Sequence, residues 1–219
     1  LVQTGTHAAV NTSNTDPQDI VVNVNAALTK TQAQAVSQVN LTGTSGADTL
    51  STGVNQDTIN GGAGDDTVDA GDGADRIDVS SGDDTVTFAD GDGPAITGDS
   101  FAGAAIAAGD TITFGGGVDT VVGFQAGTGG DVLDMSVAGL PVTGIGETKG
   151  AVTATKTMFL SGAYNATTGV FTIAADGAGA DTLLFDTTTD TNIDANTNVD
   201  SFVLLVGVDS DNLVAANVV

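Results

Sequence analysis

Five aspartates recur at a fixed interval of nine residues: Asp48, Asp57, Asp66, Asp75 and Asp84. Two positions after each stands a branched apolar residue, Leu50, Ile59, Val68, Ile77 or Val86, with a polar residue on either side. An ionised carboxylate only accepts hydrogen bonds, and it is a hard oxygen ligand. Carboxylates in a regular row can hold cations, and without cations they repel one another.

The elements that position these carboxylates follow from the unit itself. The repeats are GTSGADTLS (43–51), TGVNQDTIN (52–60), GGAGDDTVD (61–69), AGDGADRID (70–78) and VSSGDDTVT (79–87). In each, six residues rich in Gly and Asp turn the chain, since Gly allows positive φ and Asp tolerates turn geometry. The polar–apolar–polar triplet that follows is a minimal strand whose middle side chain points inward. Two units complete one coil with two short parallel sheets facing each other, so turns eighteen residues apart stack. Stacked turns bring two carboxylates and several backbone carbonyls together. A hard cation with six or more oxygen ligands at ~2.3–2.6 Å fits there, which points to calcium; magnesium prefers a smaller, more hydrated octahedral site.

The third unit, Gly61-Gly62-Ala63-Gly64-Asp65-Asp66-Thr67-Val68-Asp69, resembles the RTX (hemolysin-type) nonapeptide G-G-x-G-x-D-x-U-x at every fixed position. The other units keep the aspartate and the apolar residue while the glycines drift, and Asn55 stands where a glycine is usual. The resemblance implies a parallel β-roll with about three or more Ca²⁺ ions between alternate turns. It pairs Asp48 with Asp66, Asp57 with Asp75, and Asp66 with Asp84, with carbonyls around Gly46, Gly64, Gly73 and Gly82. Asp65 and Asp83 join the metal set. Downstream, AIAAGDTIT (105–113) and FGGGVDTVV (114–122) repeat the pattern with Asp110 and Asp119, and AGTGGDVLD (126–134) echoes it with Asp131. The stretch from Asp119 to Phe124 and from Gly130 to Ser136 is similar to the segment that closes many such rolls. The C-terminal DSFVLLVGVDSDNLVAANVV is similar to the tail of proteins exported by type I secretion.

The remaining chemistry is sparse. With 28 acidic and 4 basic residues the net charge is −24, almost all of it aspartate. Nucleic acid and anionic membrane surfaces, which call for Lys and Arg, are excluded as direct partners. The absence of cysteine excludes a disulfide framework and thiolate chemistry. His7 is the single histidine, so no His-based zinc site forms. Gly98-Asp99-Ser100 reads as a turn, and Asp186 to Asp194, loosely like an EF-hand loop, lacks its glycine and closing glutamate. No apolar run approaches the ~20 residues of a membrane span.

The chain therefore reads as all-β: a parallel roll followed by a capping antiparallel region. Residues 1–42 form a lead-in with a strand around Ile20, Val22 and Val24, and 26–39 read equally as a short helix or as extended chain. Residues 43–134 form the roll, with an insertion at 88–104. Residues 135–219 form an antiparallel cap and secretion-signal region, with strands at Thr157–Leu160, Val170–Ile173, Thr182–Phe185 and Ser201–Val206. The functional expectation is a secreted, non-enzymatic, calcium-dependent structural protein of a bacterial surface. It would self-associate after passing through type I machinery. The alternative is a secretion and folding module of a larger RTX toxin, protease or adhesin.

Overall fold

The computed structural model describes residues 9–12, 21–22, 29–32, 38–89, 96–100, 105–135, 141–143, 157–185 and 202–219. Nine short strands open the chain: β1 (Ala9–Thr12), β2 (Val21–Val22), β3 (Thr29–Gln32), β4 (Asn40–Thr42), β5 (Thr49–Ser51), β6 (Thr58–Asn60), β7 (Thr67–Asp69), β8 (Arg76–Asp78) and β9 (Thr85–Thr87). They alternate between two parallel sheets, β1-β3-β5-β7-β9 and β2-β4-β6-β8. The register advances eighteen residues per coil within the repeats, with Leu50 opposite Val68 and Val68 opposite Val86. This is the expected parallel β-roll. Each three-residue strand buries its middle side chain, so Leu41, Leu50, Ile59, Val68, Ile77 and Val86 line one continuous core.

The roll begins earlier than the repeats. Backbone pairing of β1 with β3, β3 with β5 and β2 with β4 extends it into the lead-in. Residues 29–32 of the helix-or-strand segment are strand; Ile20 and Val24 lie outside the described residues. No α-helix occurs among the described residues, so none there is long and apolar enough to cross a membrane.

After β9 the chain leaves the roll and returns later than its local pattern implies. β10 (Ile96–Asp99) and β11 (Thr111–Phe114) pair antiparallel, so the 105–113 unit forms no rung of the roll. The buried side chains of β11, Ile112 and Phe114, pack into a second hydrophobic core rather than into that of the roll. β12 (Asp119–Val122) then pairs parallel with β8, and β13 (Val132–Asp134) with β9. Gly98 and Asp99 belong to β10 rather than to a turn.

β14 (Val142–Thr143), β15 (Met158–Asn165), β16 (Val170–Ile173), β17 (Asp181–Phe185) and β18 (Phe202–Val206) complete the fold. β15 to β18 match the four expected strands and pair antiparallel in the order β16-β15-β17-β18. The cap is not a separate layer, however. β18 pairs parallel with β12, so one sheet runs from the roll into the antiparallel half without a break. Its two central strands are buried on both faces. Leu184, Val203 and Leu205 join the roll core, while Leu183, Phe185, Phe202 and Leu204 join a second core with Phe114, Met158 and Phe171. Two-sided burial explains the near-continuous apolar runs of β17 and β18. The other sheet is closed by the tail, where Val218 bridges Leu133 and the Val219 amide donates to the Leu133 carbonyl.

Candidate metal centre

The fold places the aspartates of the turns in two columns. Asp48, Asp66, Asp84 and Asp131 precede the strands of one sheet, and Asp57, Asp75 and Asp119 precede those of the other. All seven are at most 3% exposed. One hydrogen bond repeats along both columns: the Oδ1 of each aspartate accepts the backbone amide of its counterpart in the neighbouring coil. The Asp48 amide donates to Asp66 (2.8 Å), Asp57 to Asp75 (2.6 Å) and Asp66 to Asp84 (2.8 Å). The three pairs expected from the repeat are thus stacked neighbours.

Two further pairs extend the columns across the excursion. The Asp75 amide donates to Asp119 at 2.8 Å and the Asp84 amide to Asp131 at 2.9 Å. Asp110 is elsewhere. Its carboxylate accepts the Ala107 amide within its own turn (2.9 Å), and it touches neither column. Asp65 and Asp83 stack too, with the Asp83 amide donating to Asp65 at 3.1 Å, but both are exposed on the outside of the turns.

The glycines explain how the coils approach so closely. Gly62 and Gly82 have φ of +108° and +137°, where side chains are disfavoured. A Cβ on Gly82 would collide with the Gly64 carbonyl, and one on Gly73 with the Asn55 carbonyl. Asn55 itself adopts φ +95°, and asparagine is among the few non-glycine residues that tolerate positive φ. The Gly46 carbonyl lies 3.4 Å from the Thr44 hydroxyl, and the Gly82 carbonyl accepts the Gln125 side-chain amide at 3.1 Å.

The second carboxylate oxygens differ along the columns. At one end of the first column Asp48 Oδ2 accepts both the amide and the hydroxyl of Thr44; at the other, Asp131 Oδ2 accepts the Gln125 amide at 2.7 Å. Asp66 Oδ2, in the interior of the first column, and Asp57 Oδ2, at the start of the second, are buried without a hydrogen bond. The Thr52 hydroxyl near Asp57 gives its proton to the Ala70 carbonyl instead (2.6 Å). A buried carboxylate with few hydrogen bonds is unfavourable unless it is protonated or paired with a cation, the more so where, as at Asp66, like charges lie close by. Burial, reinforced by the charges of Asp48 and Asp65 and partly offset by the Asp48 amide, pushes Asp66 up to about 6. Burial likewise raises Asp84 to about 6, with Asp131, Asp66 and Asp65 adding repulsion against the Asp66 amide. Asp57 and Asp131 are also raised, chiefly by burial.

A family model described as the RTX calcium-binding nonapeptide repeat (4 copies) matches residues 40–68, 52–86 and 64–93. Residues 40–93 are thus similar to RTX calcium-binding repeats. No curated protein matches the chain at a significant level. RTX repeats bind Ca²⁺, and the donor set here suits that ion. It consists of oxygens only, with buried carboxylate oxygens lacking any other partner at Asp57 and Asp66. Among the described residues no three acidic, His or Cys side chains cluster around one point. The carboxylates come in pairs, so a full sphere draws on carbonyls of the Gly-rich RTX turns, a mixture calcium accepts. The Asp186–Asp194 stretch and His7 lie outside the described residues.

Sequence reasoning missed the devices that finish the columns. Asn217 is fully buried and binds the last turn by three hydrogen bonds, from the Gly127 amide and to the Gly127 and Asp131 carbonyls, while also accepting the Val214 amide of its own segment. The apolar character of the surrounding tail hides it.

Proposed function

We propose that this chain is a calcium-dependent extracellular structural protein, a surface-layer or matrix subunit that self-associates. It is exported by type I secretion and folds when it meets calcium outside the cell. The observation that carries this reading is the pair of buried, unpartnered oxygens at Asp57 and Asp66 inside stacked carboxylate columns. The roll opposes its own folding until a cation neutralises it. Asp57, Asp66, Asp75 and Asp84 hold the ions with the turn carbonyls, and Asp48, Asp119 and Asp131 extend the set. Calcium supplies charge neutralisation and cross-links neighbouring coils, and ion binding to the folded state alone converts affinity into folding free energy. A chain with one histidine, no cysteine and 28 acidic residues is poorly equipped for catalysis, which favours a non-enzymatic role over an enzyme.

Circular dichroism of the chain in chelator and in millimolar calcium tests the folding step. The β-signal is expected to rise sharply with calcium, and equal signals in both would overturn it. Electron microscopy in millimolar calcium tests the assembly step, with sheets or filaments expected. A monomer at high concentration would instead favour a secretion and folding module of a larger RTX protein.

A further inference from the structure

The repeats break their own pattern at one place. The residue after the aspartate is threonine in four of the five units, Thr49, Thr58, Thr67 and Thr85, but it is Arg76 in the fourth. The residue after the buried apolar one is polar throughout those units, but in the returning strand β12 it is Val122. Both departures face outward on the sheet that joins the roll to the antiparallel half, and both line one cavity of about 290 Å³. Thr120 lies on the same face. From the antiparallel half come Tyr164, the chain's only tyrosine, together with Leu204 and Val206. Val206 is 39% exposed, and Val219 is the only other large apolar side chain so exposed among the described residues. The roll needs neither an arginine nor an apolar residue at these positions, since its other rungs form without them.

We propose that this groove binds a saccharide unit bearing a carboxylate, of the uronic acid type. The chemistry of the lining matches each part of such a ligand. Arg76 supplies the cation in a chain of net charge −24; its ion pair with Asp78 spans 3.8 Å, longer than a hydrogen bond, and leaves the Arg76 side chain 52% exposed. Val122 and Val206, standing over the buried Leu204, suit the C–H face of a sugar ring. Polar groups stand around them. The Thr120 hydroxyl donates to the Asp75 carbonyl (3.1 Å), so it meets a ligand hydroxyl as an acceptor. The Asp181 carboxylate, fixed by the Tyr164 and Gly207 amides at 2.9 and 3.0 Å, accepts as well. The Tyr164 phenol donates or accepts. The volume is near the lower limit of small-ligand sites and suits one ring. Docking of a whole acidic protein surface would need about 800 Å² per partner, far more than this groove offers.

The test is a two-dimensional NMR titration of the full chain in millimolar calcium with glucuronate, glucose and cyclohexanecarboxylate. Glucuronate is expected to bind at about 1–10 mM, as befits so small a ligand, with shifts centred on Arg76, Thr120, Val122, Tyr164 and Val206. Glucose, lacking the carboxylate, and cyclohexanecarboxylate, lacking the hydroxyls, are each expected to bind at least about tenfold more weakly. Arg76→Thr restores the residue of the other units, keeps the roll, and should abolish the glucuronate shifts. Equal binding by Arg76→Thr, by glucose or by cyclohexanecarboxylate would overturn the proposal. So would shifts confined to the Gly-rich turns, which would mean that glucuronate merely competes for calcium.

Discussion

The two halves of the continuous sheet are held together by different physics. In the roll, each rung buries its central apolar side chain, and every buried aspartate of the described residues lies there. In the antiparallel half, Phe171, Phe185, Phe202, Met158 and Leu160 are fully buried, and the buried polar groups are hydroxyls. Those hydroxyls are satisfied locally: Ser161 and Ser210 share a hydrogen bond at 2.6 Å, and Thr182 donates to the Val208 carbonyl at 2.7 Å. The sheet therefore passes from a segment with buried carboxylates to one without them, with no interruption of its backbone ladder.

The largest effect is expected on removing calcium while following hydrogen exchange. Peptides from 43–87 should lose protection, whereas those covering β15, β16 and β17 should keep most of theirs. Uniform loss in both halves would break the contrast. The next largest comes from Phe185→Ala, expected to destabilise by about 3–5 kcal/mol on denaturant unfolding, equally in calcium and in chelator. A calcium-dependent loss would mean that the antiparallel core is coupled to the ions.

Asp66→Asn tests the roll alone. The calcium concentration at half-folding should rise about tenfold, or about 1.4 kcal/mol, while in chelator the same change should stabilise the roll by removing a buried charge. Asp110→Asn should move neither quantity. The pH dependence sharpens the point. Asp66 and Asp84 are raised from 3.8 to about 6 in the folded roll, so the folded state takes up protons before the unfolded chain does. Their stabilising contribution is complete below the ordinary value and is lost as pH rises through about 6. Without calcium, thermal stability of the roll should thus increase as the solution is acidified below neutrality. With calcium the trend should reverse, because protons compete for the ligands. The smallest effect is expected from Asn55→Gly, which relieves a side chain at φ +95°. It should raise the melting temperature slightly, the relief at positive φ being partly offset by the greater freedom of glycine in the unfolded chain.

The roll was legible because its period is local: five units in a row state both the buried residue and the carboxylate, and stacking at eighteen residues follows from two strands per coil. The returning units with Asp119 and Asp131 were legible from the pattern, but their pairing with Asp75 and Asp84 was not, since a nine-residue pattern does not say which coil a returning chain stacks on. The 105–113 unit shows the converse failure. Asp110 and Ile112 fit the template, yet β11 pairs antiparallel with β10 and β16 and the Ala107 amide holds the carboxylate within its own turn. The antiparallel strands were readable from their apolar runs, but the parallel seam between β12 and β18 is a tertiary pairing that neither strand announces. Residues 29–32 became strand through backbone pairing with β5, which outweighs the helix preference of the Ala and Gln around them.

Where the coils of the repeat region are eighteen residues apart, Asp75 and Asp119 are separated by 44 and Asp84 and Asp131 by 47. Their hydrogen bonds are the same length as the rest, so a coil recognises the coil beneath it by shape and donors, whatever length of chain lies between. The excursion is thus a natural graft point. A foreign domain spliced there would leave both columns able to close, and its display would be gated by the calcium concentration around it.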